Sequence, residues 1–173
     1  KVGNGAFYNC SNLTAILVDV NSTHFESING ALYSKEGKTL YSNPAGLTTA
    51  TLASNVEAIA DSAFLDCIKL TSVSTFPETL QKIGKEAFKG CSNLTGHLEL
   101  PNSITEIGAS AFLGASGISG TITIPSSVTT LGEYAFSGCS NLSGLSIEAS
   151  LDTIPTGLCY NCTKLNGTLS FPE

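Results

Sequence analysis

Apolar residues return along this chain in a fixed order. The stretch IGKEAFKGCSNL, residues 83–94, recurs as IGASAFLGASGI at 107–118 and as LGEYAFSGCSNL at 131–142. Earlier versions are VGNGAFYNCSNL at 2–13 and IADSAFLDCIKL at 59–70, and a worn one, IPTGLCYNCTKL, follows at 154–165. The aromatic of each AF pair falls at Phe7, Phe64, Phe88, Phe112 and Phe136, with Cys159 in the last copy, so the intervals are 57, 24, 24, 24 and 23 residues. Such a chain is a stack of similar coils, each burying its apolar face against the next.

Within a coil, apolar residues alternate after the Cys position, in LTGHLELP from Leu94, ISGTITIP from Ile118 and LNGTLSFP from Leu165. Period two predicts strands with Leu98, Leu100, Ile122, Ile124, Leu145, Ile147, Leu169 and Phe171 turned inward. Their neighbours His97, Glu99, Thr121, Thr123, Ser146, Thr168 and Ser170 then point outward. Pro101 and Pro125 end these strands, because proline has no N–H for the ladder. A second apolar ladder follows, through Ile104 and Ile107 or Val128 and Leu131, and Gly84, Gly108 and Gly132 are expected to allow the bend after it. The KEAF, ASAF and EYAF segments are long enough for one helical or 3₁₀ turn, with Phe buried in the opposite wall.

The 57-residue interval breaks the rhythm. Residues 19–50 form an irregular segment, and ALYSKEGKTLYS at 31–42 reads as a β-hairpin around Lys35-Glu36-Gly37-Lys38. Pro44 and Gly46 close it. The hairpin either takes the place of a coil or projects from the stack, and in the second case Tyr33 and Tyr41 become candidate recognition contacts. Otherwise these tyrosines cover the edge of the stack.

A period of 23 to 24 residues lies within the roughly 20–29 of leucine-rich repeats, which predicts a β-solenoid or horseshoe of parallel strands with short turns. The strings LPNSITEIGASAF at 100–112 and IPSSVTTLGEYAF at 124–136 resemble the BspA-like leucine-rich repeat family, and the hairpin at 31–46 is similar to an element that recurs in it. On that resemblance residues 1–173 form one leucine-rich repeat array, expected to be a piece of a longer protein. The resemblance implies a surface or secreted bacterial protein concerned with adhesion to host proteins, other cells or matrix. Ala115 in the Cys column, Ala60 after Ile59 and the worn copy at 151–162 depart from the pattern at packing positions.

Charge narrows the partners. A formal net charge of −6 with 8 Lys and Arg argues against nucleic acid and against a polybasic membrane contact. With 13% charged residues, the polar surface is built from Ser, Thr, Asn and Gly, which suits neutral hydrogen-bonding contacts with protein or glycan partners. No apolar run approaches the roughly 18 residues of a membrane-spanning helix.

Candidate chemistry is sparse. Cys10, Cys67, Cys91, Cys139 and Cys162 share one repeat position, where a ladder of parallel side chains favours buried free thiols over disulfides between coils. Cys159 and Cys162 make a CxxC with no second pair and no nearby His, so a structural role outweighs zinc or redox chemistry. His24 and His97 are the only histidines, and no GxSxG elbow accompanies them. Asn12, Asn93 and Asn141 begin sequons that are by-products of the repeated SNL. No catalytic residue, cofactor or metal is expected. The reading is a noncatalytic recognition or adhesion module that uses the exposed strand face, with a structural spacer as the alternative.

Overall fold

A computed structural model describes residues 1–167 and 169. Its twelve strands are short, and no helix occurs among the described residues. In chain order they are β1 (Phe25–Ile28), β2 (Ala31–Ser34), β3 (Thr39–Ser42), β4 (Thr49–Ala50), β5 (Ala58–Ile59), β6 (Ser72–Val73), β7 (Lys82–Ile83), β8 (Gly96–His97), β9 (Glu106–Ile107), β10 (Ile118–Ile124), β11 (Thr130–Leu131) and β12 (Leu142–Ile147). They make three sheets along the sides of a parallel β-solenoid: β1-β2-β3-β5-β7-β9-β11, β12-β10-β8, and β4-β6.

The seven-stranded sheet is the most regular side. Leu40, Ile59, Ile83, Ile107 and Leu131 follow one another in register, and the first four are fully buried. The hairpin does not project: β3 lies parallel to β5, so the hairpin opens the ladder. A further strand, β1, extends it. Ile28 pairs with Ala31 across Asn29-Gly30, both with positive φ (52° and 79°), the two-residue turn whose twist matches a hairpin. The Asn-Gly pair at 29–30 was its signal in the sequence.

Gly84, Gly108 and Gly132 serve a different purpose from the expected bend. A Cβ on Gly84 would stand 2.6 Å from the Asp61 nitrogen, and one on Gly108 2.5 Å from that of Lys85. These positions are glycine because adjacent coils approach closely there.

The opposite wall is a run of β-turns and contains no 3₁₀ segment. Ala87 N–H donates to Gly84 O, Lys89 to Glu86 O and Cys91 to Phe88 O, each closing a four-residue turn. Glu86 and Gly90 both carry positive φ (55° and 74°), a conformation that ends any helix. The same two positions are left-handed in every copy, from Gly5 and Asn9 to Gly157 and Asn161. A non-glycine residue there costs about 1–2 kcal/mol. Bonds between coils offset that cost, since Glu86 N–H reaches Ala109 O at 3.0 Å and Phe88 N–H reaches Ala111 O at 2.7 Å.

Between sheet and wall the aromatic column stands as expected. Phe64, Phe88, Phe112 and Phe136 are fully buried, with ring centroids 4.5, 5.1 and 5.3 Å apart and planes within 13° of parallel. Beside it, the thiols of Cys91, Cys139 and Cys162 donate to the carbonyls of Phe64, Phe112 and Phe136 in the preceding coil. Asn93 and Asn141 bridge coils in the same direction, donating to Ile68 O and Ser116 O.

Both ends of the stack relax this order. In the first copy Ala6, Tyr8 and Cys10 are exposed and Phe7 is half-buried, so Cys10 does not share the burial of its column. Asn43 takes the inner place, donating its N–H to Ala63 O where a regular coil would offer Phe. In the last copy Pro155 replaces the glycine whose N–H bonds the preceding coil, as Gly132 does to Ile107 O, and the seven-stranded sheet stops at β11.

Candidate functional site

The third side, formed by the strands after each Cys position, is where the repeat breaks. β6 pairs with β4 and β8 with β10, but β6 and β8 do not pair with each other. Thr95 N–H still donates to Thr71 O, and Thr105 N–H to Gln81 O, so the coils separate only between those points. The reason lies at one position. Gly96 and Gly120 have positive φ (99° and 81°), whereas their counterpart Ser72 does not. Without that left-handed residue Val73 turns in with Ala50 and packs against the core, while His97, in the equivalent place, is exposed. A one-residue change of phase exchanges the two faces of a strand; β10 and β12 absorb such a change with a register shift at Gly120/Thr121, whereas β6 and β8 do not pair.

The gap is a cleft of about 240 Å³. Val73, Phe76, Leu94, Leu98 and Ile118 supply apolar surface, and His97 and Glu99 stand at it as exposed polar groups. Phe76 continues into the aromatic column, 6.0 Å from Phe88 at 53°. The His97 ring lies across Gly120, where a Cβ would meet its Nδ1 at 3.0 Å. β8 also meets β10 out of repeat step: Gly96 pairs with Ile118 and His97 with Ser119, both 22 residues on rather than 24. Leu98 to Leu100 thereby leave the ladder, half-buried at 98 and 100 rather than fully inward.

Beyond the cleft β10 and β12 follow the expected alternation. Ile122, Ile124, Leu145 and Ile147 are buried, and Thr121 and Thr123 are exposed. Ser146 is half-buried, and Leu169 is 45% exposed rather than inward. Thr168, Ser170 and Phe171 lie outside the described residues. Of the sequence candidates, His97, Glu99, Thr121 and Thr123 are exposed. Phe76 and Ser72 escaped the sequence reading, although a Ser where four later coils carry Gly, at 96, 120, 144 and 167, was the available signal.

The two hairpin tyrosines differ in burial. Tyr33 is fully buried, its hydroxyl accepting a hydrogen bond from Ala53 N–H at 3.2 Å, and burial pushes its pKa up. Tyr33 is therefore corrected from recognition contact to core. Tyr41 is half-buried with its ring edge-on to Phe25 at 5.8 Å. His24 is exposed and hydrogen-bonds Thr23 Oγ1, and no group of three metal-ligating side chains gathers among the described residues. The six cysteines are all free. Burial raises the Cys67 and Cys139 thiols to about 12 and Cys91 well above its ordinary value.

The coil period, the wall of turns and the hairpin can be set against known repeats. A model of the BspA type leucine rich repeat region matches residues 34–166 in six copies. The chain belongs to this family. Among the solved structures it resembles, the pneumococcal vaccine antigen PcpA, at 26% identity and TM-score 0.71, aligns with 78% of this chain and 33% of its own. A leucine-rich repeat protein from Bacteroides ovatus aligns at 27% identity and TM-score 0.67 over 88% of this chain and 40% of its own. A leucine rich cell surface protein from Faecalibacterium prausnitzii aligns at 28% identity and TM-score 0.57 over 86% and 45%. This BspA-type chain therefore spans less than half the length of each. No curated protein sequence matches it significantly.

Proposed function

We propose that this chain is a noncatalytic recognition module of a bacterial cell surface, binding protein or glycan partners through the exposed strand face centred on the cleft at His97 and Glu99. The observation that carries the reading is the break between β6 and β8, which opens on this strand face a concave place with apolar lining and polar rim. At about 240 Å³ the cleft falls below the roughly 300–1,000 Å³ of pockets that enclose drug-sized ligands. It suits one side chain or one sugar ring of a larger partner. The surrounding threonines lack the Trp, Tyr and Arg anchors of tight interfaces, so a single array binds weakly and repeated arrays gain by multivalency. Surface location is supported by the cell surface protein among the structural neighbours.

The test is binding to immobilised matrix proteins and a glycan array, comparing wild type with a His97→Ala, Glu99→Ala, Thr121→Ala variant of unchanged fold. Loss of the wild-type signal supports the reading, and retention of it removes the face from consideration.

A second reading, a spacer that presents other domains, is favoured by the unbroken ring column from Phe64 to Phe136, which makes a stiff rod. Adhesion by a longer natural chain but not by residues 1–173 would favour the spacer.

A further inference from the structure

The worn last copy holds a feature found in no other. In each regular coil the final wall turn begins at Phe and ends at the Cys position, as in Phe64–Cys67, Phe88–Cys91 and Phe136–Cys139, where Cys N–H donates to Phe O. In the last coil the first place is also cysteine: Cys162 N–H donates to Cys159 O at 3.2 Å, with Asn161 left-handed at φ 59°. A hydrogen-bonded four-residue turn brings its end Cα atoms within about 7 Å, which overlaps the roughly 4.4–6.8 Å range of disulfide-linked residues. Cys162 also keeps the bond of its column, donating its S–H to Phe136 O at 3.0 Å as Cys91 and Cys139 do to the coil before them, so what sets the last coil apart is the second cysteine on the same turn.

We propose that Cys159 and Cys162 are an oxidation site that closes an intramolecular disulfide within the last wall turn, using a small dialkyl disulfide as oxidant. One cysteine gives its proton to water, and its sulfur attacks a sulfur of the oxidant, expelling one thiolate. The second cysteine, deprotonated in turn, attacks the mixed disulfide and expels the other. Two S–H bonds are exchanged for one S–S bond, and the oxidant is reduced to two thiols.

The other cysteines do not compete on equal terms. Cys67, Cys91 and Cys139 are buried and held protonated by that burial, while Cys10 is exposed but has no neighbour in its own coil. Cys162 is buried too, but its partner Cys159 is half-buried and reachable, and the side chain of Cys159 lowers the Cys162 pKa while its own is raised. Closure would pin the turn at the place where the ring column has ended at Phe136 and Pro155 has ended the sheet.

The experiment treats folded residues 1–173, carrying Cys10→Ser, with hydroxyethyl disulfide, then counts free thiols and maps the digest by mass. The expected result is loss of two thiols, a mass lower by about 2 Da, and a peptide linked internally between 159 and 162 that a reductant reopens. Cys159→Ser is expected to abolish the loss. If that variant does not fold, the wild-type peptide map decides alone. A lasting mixed disulfide on either residue, linkage to Cys139, or closure only after the protein is unfolded would each overturn the proposal.

Discussion

Val73 and His97 stand at the same place in successive coils, 24 residues apart, yet Val73 packs against the core and His97 lies exposed. Their divergence follows from the residue before each, Ser72 in one and the left-handed Gly96 in the other. The cleft thus opens where a one-residue change of phase is not absorbed into a ladder, as it is between β10 and β12.

Glycine in the left-handed place is therefore expected to matter differently in neighbouring coils. Gly96→Ala and Gly120→Ala each force Cβ into a positive φ, for a loss of about 1–2 kcal/mol in urea unfolding. Only at Gly120 does the new methyl also meet the His97 ring, whereas at Gly96 the space is open. Gly120→Ala alone should shift the His97 ring resonances in an NMR spectrum.

Removing a ring from the middle of the column tests the core. Phe88 is fully buried between Phe64 and Phe112, so Phe88→Ala should cost about 3–5 kcal/mol in chemical denaturation. Phe7→Ala, at a half-buried place outside the column, should cost under about 1.5 kcal/mol on the same scale.

Alkaline pH should weaken the stack through its thiols. Cys67 and Cys139 are raised from an ordinary 9.0 to about 12. Between those values the native state holds protons that the unfolded chain has lost, so stability falls as pH rises. The contribution is intact below pH 9.0 and is lost on approach to about 12. Urea midpoints measured from pH 7 upward should decline beyond the thiol range of about 8.5. Cys139→Ala, which copies the natural Ala115, should make that decline shallower.

How much of this was legible in the sequence differs by element. The period, the ring column and the outward Thr121 and Thr123 followed from spacing, because a repeated motif reports its own burial many times over. The hairpin at 31–42 followed from two β-type runs around a Gly-containing turn. The wall was harder. KEAF satisfies a helical turn locally, and only bonds between coils, such as Phe88 N–H to Ala111 O, make two left-handed residues per copy worthwhile. Gly84 was assigned a bend when its real constraint is the neighbouring coil, information that a single coil's sequence does not contain. The burial of Tyr33 has the same origin, since its partner Ala53 lies in the segment that follows the hairpin. The cleft was missed because SVSTF and HLEL both alternate acceptably, and the conflict exists only between them.

The most direct test of recognition through the cleft is to fill it. Thr75 lines the cleft and is exposed, and Thr130 is exposed on β11 of a different sheet, so Thr75→Trp and Thr130→Trp form a matched pair. Binding of each to the matrix protein or glycan that captures the wild type would be measured by surface plasmon resonance. Cleft recognition predicts at least about tenfold weaker binding for Thr75→Trp, a difference of roughly 1.4 kcal/mol, with Thr130→Trp unchanged. Equal affinities for wild type and Thr75→Trp would contradict it.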